Sequence, residues 1–290
     1  MPERRKVVVT GAAGLIASLV LPALRDRYDL TLVDVRTRDR EGHEVPGVQT
    51  ANLLDLDRDA YRHLFAGADS VVHFGFVGSA GPSNPLQAGS SHPFQNEASN
   101  VQMAYNVYQT ALEAGVRRVV CTSSNHAADY YERLILDHKH DFVFPETKPL
   151  SDNFYGWAKV AYEALGFVFA TGRDTGRPLE NVQIRIGGPR ETDVERCPKG
   201  DLTCVRRALA VYISQRDLQQ LYVRSIETPD IRNADGVPWH CFYGVSDNTR
   251  SCWSIANARQ VIGYAPQDDS ERVFADDIAR FVTGNGRTAA

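Results

Sequence analysis

The chain has 290 residues, a net charge of -4 at pH 7 and a pI near 6.1. That length allows one large domain, or a domain and a smaller lobe, with a sizeable hydrophobic core. The charge leaves no basic surface for nucleic acid or an anionic membrane, and no apolar segment approaches the roughly 20 residues of a membrane-spanning helix. The first residues lack a signal peptide's apolar core, so we expect a cytoplasmic protein with no nucleic-acid or membrane partner.

The five cysteines are an odd number and have none of the spacings of a zinc site, so no metal is expected. Cys121 lies in an apolar segment and is predicted to be a buried thiol. Cys197 and Cys204 bracket a short loop and are close enough in sequence to pair. Because disulfides are rare in the cytoplasm, we expect no bridge between them.

Strand-like and helix-like patterns alternate through the first two-thirds of the chain. Strands are predicted at 6–10, 28–35, 48–51, 70–75, 116–122 and 182–186, and helices at 15–26, 57–66, 93–114 and 154–171. Near-continuous apolar strands that alternate with helices predict an α/β fold with a doubly wound parallel sheet covered on both faces.

The pattern loosens after residue 188. Residues 191–204 are polar and loop-like, and the remainder predicts a helix at 215–226, a short strand at 240–243, and helices at 251–262 and 270–281. We therefore divide the chain into a first domain at 1–188 and a small lobe at 189–290 that is interleaved with it. The lobe is expected to bind substrate over the carboxyl edge of the sheet, where doubly wound folds hold ligands.

Residues 7–17 combine an apolar strand, a glycine turn and the start of a helix, in the order Val-Val-Val-Thr-Gly-Ala-Ala-Gly-Leu-Ile-Ala. Gly11 permits the tight turn, and Gly14 lets backbone approach a pyrophosphate at the positive end of the helix. The third glycine of this motif is replaced by Ala17, a position that governs helix packing. The segment predicts a dinucleotide site of the Rossmann type that includes Gly11, Gly14, Leu15 and Ile16.

Asp34 ends the second predicted strand, about 20 residues after the glycine turn. An acid at this point accepts hydrogen bonds from the adenosine ribose and repels a 2′-phosphate, which favours NAD over NADP. Arg36 and Arg38 follow closely, and either arginine could instead accommodate that phosphate. The alternative for both is a solvated loop.

Asn52 and Leu53 follow the third predicted strand and are assigned to the cofactor site. Asn52 is expected to hydrogen-bond the edge of the adenine ring. Asp55 could make that contact instead, or it could cap the next helix.

Tyr155 and Lys159 are four residues apart in the predicted helix 154–171 and therefore share a face. A fixed ammonium group beside a phenol favours the phenolate, which makes the pair a candidate general base for a hydroxyl proton. The alternative is a solvated helix face with a tyrosine packed at its edge.

As a set, these motifs resemble the extended short-chain dehydrogenase/reductase family, the sugar-nucleotide epimerase and dehydratase group. The resemblance spans about residues 5 to 190 and is carried by the glycine loop, Asp34, Phe74 and Gly75 within 71–75, Asn100, the Thr-Ser-Ser run at 122–124, Tyr155 and Lys159. It implies that Tyr155 is the base and that Lys159 assists it while holding the nicotinamide ribose. Ser124 would hydrogen-bond the reacting oxygen, or could be a strand-end serine bonded to backbone. Phe74, Gly75 and Asn100 would belong to the NAD site.

Within that family the chain is most similar to uronate dehydrogenases, through the segments 123–126, 155–159, 184–187, 214–218 and 263–264. The resemblance implies oxidation of a hexuronic acid at C1 to its lactone. Asn125 and His126 would contact sugar hydroxyls, Ser79 would lie in the substrate site, and Arg185 would hold the substrate carboxylate. The alternative for Arg185 is a structural ion pair, and His126 could instead be a loop histidine bonded to backbone.

Three other functions stay open at this point. Arg190, Arg196 and Lys199 could bind a phosphate, as in NAD-dependent hexose-6-phosphate dehydrogenases of the family. A nucleotide-sugar epimerase or dehydratase would need a larger lobe, and a non-catalytic NAD sensor need not keep Tyr155 and Lys159. The family also implies a homodimer, formed by pairing of the helices at 93–114 and 154–171 with their copies.

Overall fold

The computed structural model describes residues 4–78, 93–190, 194–198 and 200–280. The strands are β1 (Lys6–Thr10), β2 (Asp29–Asp34), β3 (Val48–Thr50), β4 (Ser70–His73), β5 (Arg118–Ser124), β6 (Glu180–Ile186) and β7 (Trp239–Gly244). The helices are α1 (Leu15–Arg25), α2 (Pro93–Glu113), α3 (Tyr130–Leu136), α4 (Phe154–Thr171), α5 (Leu202–Val211), α6 (Gln215–Glu227), α7 (Ala256–Ile262), α8 (Ser270–Val273) and α9 (Ala275–Ile278).

All seven strands form one parallel sheet in the order β3-β2-β1-β4-β5-β6-β7. The order reverses between β1 and β4, which is the switch point where doubly wound sheets leave a crevice for a ligand. The predicted fold class, an α/β Rossmann fold, is confirmed.

The two faces of the sheet bury alternate residues of each strand. Val7 and Val9 of β1 face the core shared with α1 and α6, whereas Val8 faces the core shared with α2 and α4. Side chains of a strand point to opposite faces in turn, so a strand buried on both faces must be apolar throughout. This explains the uninterrupted Val-Val-Val run.

The division at residue 188 does not separate the sheet from a lobe, because two later elements belong to the sheet layers. β7 pairs with β6 at the sheet edge, and α6 packs in the same core as α1. The part that stands apart is smaller. It comprises α5, α8 and α9, with a hydrophobic cluster of their own, and it adjoins the end of β6 through a bridge between Gly188 and Tyr212.

Several local predictions differ from the structure. The helix predicted at 57–66 is two short 3₁₀ turns, Arg58–Ala60 and Arg62–Phe65, separated by Tyr61 with φ -136°. Tyr61 is buried and its hydroxyl donates to the Asp55 carbonyl, so side-chain packing outweighs helical continuity here. α5 begins within the segment 191–204 that was predicted to be loop-like, and α3 was not predicted. Within the described residues, the segments predicted as helices at 251–262 and 270–281 contain α7 and the short pair α8 and α9.

Cys197 and Cys204 form a disulfide, which contradicts the expectation that they do not pair. The loop between them begins with Pro198, and the Asp201 side chain caps α5 by accepting from the Cys204 amide at 2.9 Å. The cap brings Cys204 back toward Cys197, with their Cα atoms 5.6 Å apart. Cys121 and Cys241 are buried free thiols.

Gly166 lies in the middle of α4, where the helix packs on β6. A Cβ at this position would lie 2.4 Å from Asn181 Oδ1 and 2.7 Å from Gln183 Nε2. Both side chains are fully buried, and Gln183 Nε2 donates to Asn181 Oδ1 and to the Tyr108 hydroxyl. The close approach of α4 to the sheet therefore depends on a residue without a side chain.

We expect Gly166→Ala to lower the free energy of unfolding by about 1–3 kcal/mol, because the methyl group displaces buried hydrogen-bonded amides. Helix propensity alone predicts the opposite sign, a gain of about 1 kcal/mol. Urea denaturation of the wild type and the variant measures the difference. A Gly166→Ala protein more stable than the wild type would contradict this account of the packing.

Candidate active site

The carboxyl ends of β1, β4 and β5 meet the N-terminal part of α4 at the switch point of the sheet. The loop after β1 begins with Gly11, whose φ is +72°, a conformation that glycine adopts without strain. A Cβ on Gly11 would lie 2.6 Å from the Gly75 amide nitrogen and 2.7 Å from the Phe74 carbonyl carbon. The backbones after β1 and β4 thus touch at Gly11, and any larger residue would separate them.

Gly14 occupies the N-cap of α1 and gives that helix no side-chain cap. The amides of the first helical turn, which includes Leu15 and Ile16, therefore remain available to an anionic ligand. No acidic side chain lies in this turn to compete with it. These features fit a pyrophosphate group.

Asp34 lies at the end of β2 and reaches the glycine loop. Its Oδ2 accepts from the Ala13 amide at 2.9 Å, and its Oδ1 accepts from the Arg36 amide at 3.3 Å. The Arg36 guanidinium donates to the Ala13 carbonyl at 3.4 Å. The carboxylate thus lies beside the loop, as predicted, and also holds it in place.

Asn52 and Leu53 lie after β3, as predicted. The Asn52 Oδ1 accepts from the Leu54 amide at 3.1 Å, which makes a local turn and occupies that oxygen. Leu53 is buried in the core beneath α2. Asp55 likewise accepts from a nearby amide, that of Asp57.

Asn100 lies in α2 and binds the backbone that follows β4. Its Oδ1 accepts from the Val77 amide at 2.7 Å, and its Nδ2 donates to the Val77 carbonyl at 3.0 Å. The same Nδ2 lies 3.2 Å from Glu97 Oε2. The side chain therefore fixes the loop that carries Phe74 and Gly75.

Tyr155 and Lys159 are both in α4, which starts at a side-chain cap. The Asn153 Oδ1 accepts from the Gly156 amide at 2.9 Å. The Tyr155 ring contacts the rings of Phe76 and His126 edge-on, with centroids 5.4 and 5.3 Å away. The Lys159 Nζ is 5.4 Å from the centroid of the Tyr155 ring. The predicted pair therefore shares one face of the helix.

Lys159 is buried, yet within the described part of the chain no carboxylate oxygen lies within 4 Å of its Nζ. Nζ donates to the Thr122 carbonyl at 3.2 Å and lies 4.5 Å from the centroid of the Tyr162 ring. A carbonyl and aromatic faces thus stabilise the ammonium group without neutralising it. Burial lowers the pKa of the nearby His73 to about 3, and the charge of Lys159 acts in the same direction.

Ser124, Asn125 and His126 lie at the end of β5 and in the 3₁₀ turn Asn125–Ala128 that follows. The Ser124 Oγ accepts from the His126 amide at 3.3 Å, a long bond that leaves the hydroxyl hydrogen to donate elsewhere. His126 lies against Tyr155, so the structure brings the predicted substrate residues to the predicted base. Ser79 lies outside the described residues.

Arg185 adopts the structural role that was its alternative. Its Nε and Nη2 donate to Glu163 at 2.8 and 2.7 Å, and its Nη1 donates to the Tyr243 hydroxyl at 2.9 Å. The side chain is 2% exposed and that of Glu163 is 5% exposed. Each guanidinium nitrogen already has a partner, so a carboxylate would compete with Glu163 for this group.

Residues 7–171 match the model of the family described as NAD dependent epimerase/dehydratase. That match covers more than half of the chain. The chain belongs to this family, and its cofactor is NAD.

Two curated relatives come from Haloferax volcanii. An NAD-dependent glucose-6-phosphate dehydrogenase is 30% identical, over 91% of this chain and 94% of that protein. An L-arabinose 1-dehydrogenase (NAD(P)(+)) is 31% identical, over 92% and 98%. Among solved structures, a mutated uronate dehydrogenase is 28% identical with a TM-score of 0.72, over 95% of this chain and 86% of that chain.

The residues at the switch point fit NAD. The uncapped α1 terminus and the close approach at Gly11 leave room and donors for the pyrophosphate, and Asp34 lies beside them. The cofactor supplies a hydride acceptor when it is bound. Lys159 and Tyr155 are on the side of the site where β4 and β5 end.

Asp129 and Glu132 are site residues that the sequence analysis missed. Asp129 Oδ2 lies 2.5 Å from His126 Nδ1, and Glu132 Oε1 accepts from Asn125 Nδ2 at 3.3 Å. Both acids lie in the polar segment after the Ser-Asn-His run. The spacing of three residues between His126 and Asp129 in a helical turn was the available signal.

We expect Glu163→Gln to lower the free energy of unfolding by about 3–5 kcal/mol, because it leaves the Arg185 charge buried without a counterion. Chemical denaturation at neutral pH measures the loss. Asp230→Asn is the matched control, since Asp230 and Arg232 form a 2.6 Å pair with exposed side chains, and there we expect no measurable change. A loss as small as that of the control would mean that Arg185 is not committed to Glu163.

Proposed function

We propose that this protein oxidises the anomeric C1 hydroxyl of a sugar to a lactone, with NAD as the hydride acceptor. The observation that carries the proposal is the meeting of Ser124, Tyr155 and Lys159 with Asn125 and His126 at one edge of the sheet. A base, a hydroxyl donor and two side chains suited to sugar hydroxyls lie together beside a dinucleotide loop.

In this proposal Tyr155 takes the proton of the C1 hydroxyl. The ammonium group of Lys159 lies 5.4 Å from the centroid of the Tyr155 ring, and within the described residues no ion pair neutralises its charge. Ser124 donates a hydrogen bond to the reacting oxygen and so holds it toward Tyr155. The protein supplies position and charge.

We propose the cofactor contacts that the sequence motifs and the resemblance to the family imply. The pyrophosphate would be held by Gly11, Gly14, Leu15 and Ile16. Asp34 would bind the adenosine ribose, and Asn52 and Leu53 would contact the adenine. The nicotinamide end would be bound by Phe74, Gly75, Asn100, Tyr155 and Lys159. Asn52 would need to release its own turn to bind adenine through Oδ1. Asn100 would act by fixing the Val77 backbone.

A hexuronic acid is the substrate that we propose first, because the chain resembles uronate dehydrogenases along nearly its whole length. Ser79, Asn125, His126 and Arg185 would contact it. Arg185, whose guanidinium nitrogens are bonded to Glu163 and Tyr243, would reach the carboxylate only by exchanging one of these partners for it. A hexose 6-phosphate is the second candidate, favoured by the glucose-6-phosphate dehydrogenase relative and by the arginines at 190 and 196.

A nucleotide-sugar epimerase or dehydratase and a non-catalytic NAD sensor are less well supported. In the described residues, the part that stands apart from the sheet layers consists of α5, α8 and α9, which is small for holding a nucleotide. A sensor has no need of a base, a hydroxyl donor and a buried ammonium group at the same edge of the sheet.

We expect Tyr155→Phe to lower kcat by about 10²–10⁴-fold while the Kd of NAD changes little, because only the base is removed. NADH formation is measured with glucuronate, galacturonate, L-arabinose, glucose, glucose 6-phosphate and UDP-glucose. Tyr130→Phe, an exposed tyrosine outside the site, is the control and should leave turnover unchanged. Unaltered turnover in Tyr155→Phe would refute the assigned base. Absence of NADH with every sugar would refute the proposed reaction and favour an internal redox cycle.

We propose a homodimer formed through α2 and α4. Their exposed large apolar side chains are Phe94, Tyr105, Phe154, Trp157, Phe167 and Val168. Phe94 contacts both Phe154 and Trp157. The two helices lie side by side, so pairing with their copies would bury these side chains in a two-fold interface.

We expect Val168→Glu to weaken the dimer by about 100-fold, because an unpaired carboxylate in an apolar interface costs several kcal/mol. Light scattering after size-exclusion chromatography measures the mass across a dilution series. Leu56→Glu is the control, since Leu56 is 73% exposed and lies outside both helices. A wild type that is monomeric at assay concentrations would refute the interface.

Two predictions about the protein's surroundings stay predictions. The net charge of -4 supports the absence of a nucleic-acid partner. The Cys197–Cys204 disulfide argues against the predicted cytoplasmic location, because such bonds are typical of oxidising compartments. None of the helices in the described residues is both long and apolar enough to cross a bilayer.

A further inference from the structure

The two side chains proposed to bind the sugar are each held by a carboxylate from the next turn of the chain. His126 Nδ1 lies 2.5 Å from Asp129 Oδ2, and Asn125 Nδ2 donates to Glu132 Oε1 at 3.3 Å. The other oxygen of Glu132 accepts from Arg207 Nε at 2.6 Å. These hydrogen bonds therefore fix the orientation of both side chains.

Asp129 has a second contact, and it leads to the catalytic helix. The same Oδ2 accepts from Asn153 Nδ2 at 2.9 Å. Asn153 is the N-cap of α4, where its Oδ1 accepts from the Gly156 amide at 2.9 Å. One carboxylate oxygen thus joins His126 to the start of the helix that carries Tyr155. The Asp129 side chain is only 13% exposed, so water competes little for these bonds.

The partners decide which hydrogen-bonding groups remain for a substrate. A carboxylate accepts and cannot donate, so the Nδ1 of His126 must carry the proton and Nε2 is left as an acceptor in the neutral ring. One N–H of the Asn125 amide is likewise engaged by Glu132, and the Oδ1 remains as an acceptor for the sugar. Both atoms accept hydrogen bonds, and both lie next to a carboxylate.

We propose that Asp129 is a positioning residue that fixes His126 as the Nδ1-protonated tautomer, so that His126 Nε2 and Asn125 Oδ1 form a subsite for hydroxyl donors of the sugar. The inference rests on the proposed function for the presence of a sugar and goes beyond it in the chemistry of the subsite. A carboxylate or phosphate group of the substrate does not bind here, because it would face two acceptor atoms and two acids. The part of the substrate beside C1 is therefore a run of hydroxyl groups, and any anionic group binds elsewhere.

The kinetic test compares Asp129→Asn with Asp152→Asn. Asp152 Oδ1 also accepts from Asn153 Nδ2, at 3.1 Å, and has no contact with His126. On the best substrate of the panel, we expect Asp129→Asn to lower kcat/KM on the order of 10–100-fold, mainly through KM, with an unchanged Kd for NAD. Asp152→Asn should stay within about twofold of the wild type. Equal effects of the two variants would overturn the role of Asp129.

A second kinetic readout separates positioning from general damage. Monodeoxy analogues of the substrate remove one hydroxyl at a time, and the wild type should lose kcat/KM on the order of tenfold or more for the hydroxyl that His126 accepts from. That penalty should shrink to about twofold in Asp129→Asn, because the acceptor is no longer held. A penalty of the same size in both proteins would overturn the subsite.

The tautomer itself is measured without substrate or cofactor. Nitrogen NMR of ¹⁵N-histidine-labelled protein reports which ring nitrogen is protonated, and His126→Gln identifies the His126 signals. We expect the Nδ1-protonated neutral ring in the wild type at neutral pH and its loss in Asp129→Asn. An Nε2-protonated or doubly protonated ring in the wild type would overturn the inference. The expected tautomer in a protein that turns over no sugar would refute the proposed function alone.

Discussion

Glu163 is the carboxylate on which the geometry of the site depends. It lies on the same face of α4 as Tyr155 and Lys159, at successive spacings of four residues. It accepts from Ser123 Oγ at 2.7 Å, beside Ser124, and from Arg185 in a buried bidentate pair. Arg185 in turn donates to Tyr243 of β7. The ends of β5, β6 and β7 are therefore aligned with the catalytic helix through one carboxylate. Such a pair contributes more to specificity of arrangement than to net stability, since desolvation offsets most of its attraction.

The two buried cations near the site, Arg185 and Lys159, differ in whether an acid neutralises their charge. Arg185 forms a buried ion pair with Glu163, which neutralises its charge. Lys159 is surrounded by a backbone carbonyl and aromatic rings. Glu97 is close enough to interact electrostatically with Lys159, and its side chain is hydrogen-bonded to Asn100. Burial raises the pKa of Glu97, against the opposing influence of Asn100 and Lys159. Within the described residues the ammonium group is therefore not neutralised by an ion pair, and the Tyr155 ring is one of three rings whose centroids lie within 5.4 Å of its Nζ.

The start of α4 and the turn after β5 form one polar unit. Asn153 caps the helix, Asp129 binds the cap and His126, and His126 contacts the ring of Tyr155. In the proposed function, binding of a sugar to His126 and placement of the base would consequently be coupled through a single carboxylate. Sequence reasoning found the two ends of this unit, Tyr155 and His126, because each belongs to a short motif. It missed Asp129 and Glu132, because the three-residue spacing from His126 to Asp129 is equally common for solvated acids, and Glu132 lies in a polar segment with no motif of its own.

The sequence by itself determined the parallel sheet, the glycine turn at Gly11, the acid at Asp34 and the Tyr155–Lys159 pair, because each depends on local conformation or on spacing within one element. Only the tertiary structure decided where β7 pairs, that Arg185 is bound to Glu163, and that Cys197 meets Cys204. These features depend on which distant parts of the chain come together. Once a charged or polar group is buried there, it needs a bonding partner within the protein. The sequence around an arginine at a strand end does not show whether its side chain binds a substrate or a buried glutamate. Packing of α4 against β6 decides between them.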